Sequence, residues 1–229
     1  MENASKKIDV SEKKQTVKTA EKFFRKGLYF DTLHVPIAIN LSDLSIKKYQ
    51  YFSENVQNEI EDYFNIMIKE KDQKELLRAL SYYSTSIEND SITVSFGYPE
   101  KALSIGQKLL EMHPTDKNIR YRISFFCSNL SFKLFDFKKQ HKNSLAAVKI
   151  AIEADSTNQF VYTNLPIAYL LNNEYAEAEK VYLAWKDKKW TVSIDFRTFN
   201  EAYLSDIADL ERRGITHPDF EKVRELLKK

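Results

Sequence analysis

Residues 158–188 read NQFVYTNLPIAYLLNNEYAEAEKVYLAWKDK, a pattern that two helices joined by a tight turn account for. Large apolar side chains three and four positions apart share one helix face. Tyr162, Leu165 and Tyr169 make such a face on the first helix. On the second, small Ala178 allows close approach, and Tyr182, four residues on, covers the same seam. Asn172, Asn173 and Glu174 supply the turn, because Asn tolerates the left-handed backbone conformation that Gly would otherwise provide. Pro166 lies beyond the first turn of its helix, so it removes one backbone hydrogen bond and is expected to kink the helix. Pro166→Ala is expected to stabilise the chain by up to about 3 kcal/mol if nothing compensates for that loss.

Tyr162, Leu165, Pro166, Tyr169, Ala178 and Tyr182 fall on the spacing W-x2-L-G-x2-Y followed by A-x3-F. The stretch therefore resembles a tetratricopeptide repeat (TPR) unit, with Pro166 in the slot that usually holds Gly. Upstream, AIEADSTN at 151–158 matches the usual end of such a unit, and Ala151 stands 34 residues before Trp185, the period of the repeat. In the unit that ends there, a shift of one residue puts Cys127, Leu130, Ser131 and Leu134 on the W, L, G and Y positions, and the loop at 136–143 absorbs the extra residue. Residues 76–114 resemble a degenerate unit with an enlarged internal loop. The tail resembles the end of bacterial TPR-array proteins. Such arrays need an atypical last unit with a polar outer face, which Glu211, Arg212, Arg213, Lys222 and Lys228 supply. The resemblance implies an all-α fold, an α-α superhelix of roughly nine helices stacked as antiparallel pairs.

Working outward, residues 1–71 form an N-terminal helical region. After a polar start, Val17, Ala20, Phe23 and Phe24 recur at helical spacing up to Gly27, which reads as a stop. Leu33, Val35, Ile37 and Ile39 alternate with His34, Pro36 and Ala38, which suggests an extended segment near 33–40. Ser42 or Asp43 then caps a helix whose stripe is Tyr49, Phe52, Val56, Ile60, Tyr63 and Met67, ending near residue 71. Residues 72–190 hold the repeats. They open with Asp72 and Glu75 at capping-box spacing, ahead of a helix to about residue 88. Residues 89–98 read as a loop, and Pro99 suits a first helical turn. Further helices are read at 118–137 and 144–154. Residues 191–229 hold two capping helices. Asp195 caps the first and Gly214 ends it, while Thr216 and Asp219 have capping-box spacing before the second.

Composition narrows the function. Lys and Arg total 35 against 33 Asp and Glu, which leaves no basic excess for nucleic acid. No apolar run approaches the ~18 residues of a membrane helix, and the first residues lack the apolar core of a signal peptide. The lone Cys127 forms no internal disulfide. A cytoplasmic protein, or a cytoplasmic piece of a longer one, is the expectation. His34, His113, His141 and His217 are scattered without ligand partners, and four isolated Gly residues make no phosphate loop. Glu59/Glu61 and Glu177/Glu179 diverge on their helices. The chain is read as no enzyme, with no metal and no cofactor.

In TPR proteins the first helices of successive units line a concave groove. The resemblance puts Phe160, Thr163, Ile167 and Leu170 of one unit there, with Phe125, Ser128, Phe132 and Phe135 of the unit before it. This set is apolar and aromatic, unlike the Lys, Asn and Arg that grip a C-terminal carboxylate. It suits an apolar or helical peptide, or a neighbouring segment of the same chain. Some of these residues could equally pack against adjacent units. The leading expectation is a protein-binding adaptor. The alternative is the capped C-terminal module of a larger array, serving a neighbouring catalytic or sensor domain. Helical-repeat RNA binding is a third reading, disfavoured by the neutral charge and the apolar groove.

Overall fold

The computed structural model describes residues 10–30, 34–52, 55–87 and 91–228. The expected polar start at 1–9, Leu33 and the head of the 89–98 loop lie outside the described residues. Helices dominate throughout, and the described residues include twelve α-helices and no strand. The fold class is all-α.

The chain divides into two compact units, Met1–Tyr82 and Tyr83–Lys229. In the first, α1 (Val10–Phe30) packs on α2 (Val35–Phe52), and α2 packs on α3 (Gln57–Lys69). The expected extended segment is the start of α2. Val35, Ala38, Leu41, Ser42 and Ser45 are buried at a spacing of three and four, which only a helix produces. Pro36 falls in the first turn, where its missing N–H costs nothing, and the amide of Ile37 donates to His34 Nδ1 at 3.2 Å. Gly27 is likewise no stop. α1 continues through it, and a Cβ built there would come within 2.6 Å of Ile37 Cδ1, so Gly permits the close crossing of α1 and α2. The single helix expected from 42 to 71 is broken before Gln57, where Asn55 Oδ1 accepts the Gln57 amide at 3.2 Å.

An ion network crosses this unit. Glu59 accepts from Ser45 Oγ at 2.7 Å and from Lys48 Nζ at 2.8 and 3.0 Å, and the Arg25 guanidinium lies 3.7 Å away. Burial alone would raise the Glu59 pKa, but hydrogen bonds from Lys48 and Ser45 outweigh it and hold the carboxyl below its ordinary value.

α4 (Gln73–Thr85) carries the chain into the second unit. Asp72 caps it as expected, with Oδ1 accepting the amides of Lys74 and Glu75 at 2.9 and 3.1 Å. The 89–98 stretch is more structured than a loop: α5 (Ser91–Ser95) lies in it, and α6 (Tyr98–Met112) follows. Gly97, at φ 73°, makes the junction between the two. Next come α7 (Lys117–Leu134), a 3-10 turn at Lys138–Gln140, α8 (His141–Ala154), α9 (Phe160–Leu171) and α10 (Tyr175–Trp185). α11 (Phe199–Arg212) and α12 (Phe220–Lys228) close the chain. α6 packs on α7 and α8, α7 on α8 and α9, α8 on α9, and α9 on α10 and α11.

Local chemistry sets most of the boundaries in this unit. Asp116 Oδ1 caps α7 through the amides of Asn118 and Ile119, at 3.0 and 3.1 Å. Asn173 (φ 61°) and Gly214 (φ 80°) take left-handed conformations at the ends of α9 and α11. Two caps differ from expectation. Thr198, and not Asp195, begins α11, with its Oγ1 accepting the Glu201 amide at 3.4 Å. Before α12 it is His217 Nδ1 that accepts the Asp219 amide at 3.2 Å.

α9 is continuous through Pro166. The proline has no N–H for the carbonyl of Tyr162, four residues earlier, and the Tyr203 hydroxyl of α11 donates to that carbonyl at 3.0 Å. The compensation that the sequence left open therefore exists, and it comes from the C-terminal helices. Aromatic rings continue this junction. Tyr162 stacks on Trp185 at 3.7 Å, Trp185 and Trp190 pack on Phe199 at 5.0 and 5.1 Å, and Tyr182 meets Tyr203 edge-on at 4.7 Å.

Candidate functional site

On α7, Phe125, Ser128, Asn129 and Phe132 follow one another at helical spacing and so share a stripe. Phe160, Thr163 and Asn164 make a matching stripe on α9. The two stripes are held together by side-chain amides. Asn164 Nδ2 donates to the Ser128 carbonyl at 2.9 Å and to Ser128 Oγ at 3.1 Å. Farther toward the start of both helices, Asn158 Nδ2 donates to Ser124 Oγ at 2.9 Å. The two stripes, Asn158 and Asp206 of α11 line a cleft of about 310 Å³.

The floor and walls of the cleft differ in character. Ser128, Thr163 and Asn164 are buried at its base, and Thr163 Oγ1 is satisfied within its own helix by the Phe160 carbonyl at 3.1 Å. Phe125, Phe132 and Phe160 stand 45%, 41% and 45% exposed, so three rings face solvent around one opening. Each is braced from behind. Phe125 packs on Phe126, Phe132 on Phe135 and Phe160 on buried Trp190, with ring centroids 5.5, 5.9 and 5.5 Å apart. The Arg213 guanidinium lies 4.8 Å above the Phe132 ring while pairing with Asp136 at 2.9 Å and Asp209 at 3.1 Å.

Asp206 is the one ionisable side chain in the lining. Among the described residues no hydrogen bond or ion pair reaches its carboxylate. Burial pushes its pKa up to about 7; Asp209 adds to that rise and Arg213 opposes it.

Five of the eight groove residues expected from the sequence thus meet in one cleft: Phe125, Ser128, Phe132, Phe160 and Thr163. The other three do not. Ile167 and Leu170 are buried in helix packing, where neighbouring helices cover that side of α9. Phe135 is also buried, beyond the end of α7, and it lines a separate cavity of about 490 Å³ with His141, Leu171 and His217. There His141 spans two helix ends, its Nε2 3.1 Å from the Phe135 carbonyl and its Nδ1 3.1 Å from the Leu171 carbonyl. Sequence reasoning missed Asn129, Asn158, Asn164 and Asp206. The signal for Asp206 was an acid flanked at helical spacing by Tyr203 and Leu210, inside the apolar stripe of its helix.

No protein-family model matches this chain, and no curated protein matches it.

The remaining reactive candidate is Cys127. It is fully buried, and burial pushes its thiol up to about 12, far from the thiolate a nucleophile needs. Among the described residues no group of three or more His, Cys, Asp or Glu is placed to hold a metal ion, and no helix is long and apolar enough to cross a membrane.

Proposed function

We propose that this chain is a TPR-like scaffold, a non-enzymatic interaction module that holds a peptide or a segment of a partner protein in the cleft between α7, α9 and α11. The observation that carries the reading is the convergence of Phe125, Phe132 and Phe160, half exposed and braced, on one opening. Interfaces concentrate their energy in a few aromatic anchors seated in pockets, and three such rings offer that. The packing order supports the repeat reading. α6 meets α7 and α8, and α7 meets α8 and α9, as stacked helix pairs require. The register supports it too. Ser131, at the close-approach position, is buried against Ser144 of α8 with hydroxyl oxygens 3.1 Å apart, and Ala178 is fully buried.

The lining also argues about what is bound. It has no Lys or Arg, so it suits neither a C-terminal carboxylate nor a phosphate backbone. The test is selection of a displayed random-peptide library on the purified chain, followed by binding to a Phe125→Ala/Phe160→Ala variant. Selected peptides should bind the parent and lose at least tenfold in affinity for the variant, measured at a temperature where its melting curve shows the variant still folded. Equal binding to both proteins would refute the cleft as the docking surface.

A further inference from the structure

We infer that the cleft takes a cationic side chain, the lysine or arginine of a bound peptide, with its charge against Asp206 and its alkyl stem between Phe125, Phe132 and Phe160. The inference rests on the peptide-binding reading and specifies the residue that reading leaves open.

The charge balance of the cleft points to this occupant. Part-buried Asp206 shares the lining with three Phe rings and with uncharged Ser, Thr and Asn side chains, and the lining offers it no basic partner. Arg213, the cation whose field acts on Asp206, has its guanidinium on Asp136 and Asp209 and lies over Phe132, so it opposes the negative charge without a hydrogen bond to it. Asp209 on the same helix adds negative potential, and the phenols of Tyr182 and Tyr203 are the other titratable groups that sense Asp206. α7 and α9 present no ionisable group to the cleft. A carboxylate held this way is costly to ionise, and an incoming cation removes that cost while strengthening its own pairing in a poorly solvated site.

Hydrogen-bonding capacity points the same way. The amide nitrogens of Asn158 and Asn164 are already committed to Ser124 and Ser128. What the Asn164 amide still offers is its carbonyl oxygen, an acceptor, which suits the donors of an ammonium or guanidinium. The rings complete the match. Lysine and arginine lay apolar stems along aromatic surface, and a cation over a ring face is attracted by its quadrupole. Arg213 over Phe132 shows that geometry already in use at the margin of the cleft. The volume, about 310 Å³, lies at the small end of ligand sites and suits one long side chain better than a large cofactor.

The experiment titrates the isotope-labelled full chain with three probes: N-acetyl-lysine amide, N-acetyl-norleucine amide and N-acetyl-glutamate amide. The lysine probe should shift backbone signals at 125–132, 158–164 and 206 saturably. The other two should bind at least tenfold more weakly. Asp206→Asn should remove the preference for lysine over norleucine while keeping the fold, and Phe160→Leu should weaken the lysine probe with Asp206 intact. Lysine affinity should also rise several-fold from pH 6 to pH 8 as Asp206 ionises. Equal affinity for lysine and norleucine, or a preference that survives Asp206→Asn, overturns the inference. Library peptides that need the aromatic walls but carry no Lys or Arg would leave the peptide groove standing and refute the cationic anchor alone. If no library peptide depends on the cleft, the peptide reading fails, and the amide probes still decide whether Asp206 binds a cation.

Discussion

Tyr203→Phe removes one oxygen atom and should be costly only because of Pro166. In the native chain the Tyr203 hydroxyl donates at 3.0 Å to the carbonyl of Tyr162, whose normal helical partner would be the absent N–H of residue 166. Tyr203 is fully buried, and the hydrogen bond it makes is part-buried. Leaving that carbonyl without a donor costs about 1–3 kcal/mol. In a Pro166→Ala background the new N–H takes the carbonyl, and the same Tyr203→Phe change should cost at most about 0.5 kcal/mol. The cycle therefore predicts a coupling of roughly 1–2 kcal/mol between residues 37 positions apart in sequence. Pro166→Ala alone should stabilise by much less than the roughly 3 kcal/mol of an uncompensated proline, because the orphaned carbonyl already has a partner and the buried ring atoms are lost. The assay is urea unfolding followed by tryptophan fluorescence. Both tryptophans, Trp185 and Trp190, pack on Phe199 in the aromatic junction beside Tyr203, so the signal reports this region. An equal cost of Tyr203→Phe in the two backgrounds would refute the reasoning.

Two further predictions concern pH. Asp206 has a folded pKa near 7, above its unfolded value of about 3.9, so the folded state keeps a proton that the unfolded chain has released. The Asp206 contribution to stability should therefore fall as pH rises from about 4 to 7 and then level off, and Asp206→Asn should gain roughly 2–4 kcal/mol over the parent at pH 8 and almost nothing at pH 4. A gain independent of pH in denaturant melts would show that the carboxylate is not strained by burial. Glu59 has the opposite sign. Its folded pKa is depressed, so its contribution is present above the unfolded value and is lost as pH falls through the folded one. Glu59→Gln should destabilise by about 1–2 kcal/mol at pH 7, with the difference from the parent shrinking in acid, as measured by melts from pH 7 to pH 3. A difference that persists below pH 3 would mean that Glu59 acts through packing and not through Lys48 and Ser45.

Much of the fold was legible because its causes are local. Asn173 and Gly214 were readable as helix ends, since left-handed backbone selects for those residue types whatever surrounds them. Asp72 was readable as a cap because its partners are two and three residues away. The all-α class followed from periodicity summed over many turns. Short windows failed for the same reason. In 33–40 the period of two and the period of 3.6 coincide over a few residues, and Pro36 counts against a strand and for a helix start alike. Only the burial of Val35, Ala38, Leu41 and Ser42 separates them.

The candidate site divides along the same line. Which residues share a stripe on α7 or α9 is a property of each helix by itself, so Phe125, Ser128 and Phe132, like Phe160 and Thr163, could be grouped from the sequence. Whether a stripe stays open is decided by the helix that packs next to it. Neighbouring helices cover Ile167 and Leu170 and leave Phe160 half exposed, although all three are apolar residues of the same helix. Asp206 shows the limit most clearly. Nothing near it in sequence says that it lines one cleft with Phe132 and Thr163. α11 brings it there, and the surroundings met on arrival give the carboxyl its raised pKa. Pro166 belongs to both accounts: the sequence fixes that its N–H is missing, and tertiary packing alone supplies Tyr203 in its place, because the donor must come from a distant helix with a hydroxyl at hydrogen-bonding range.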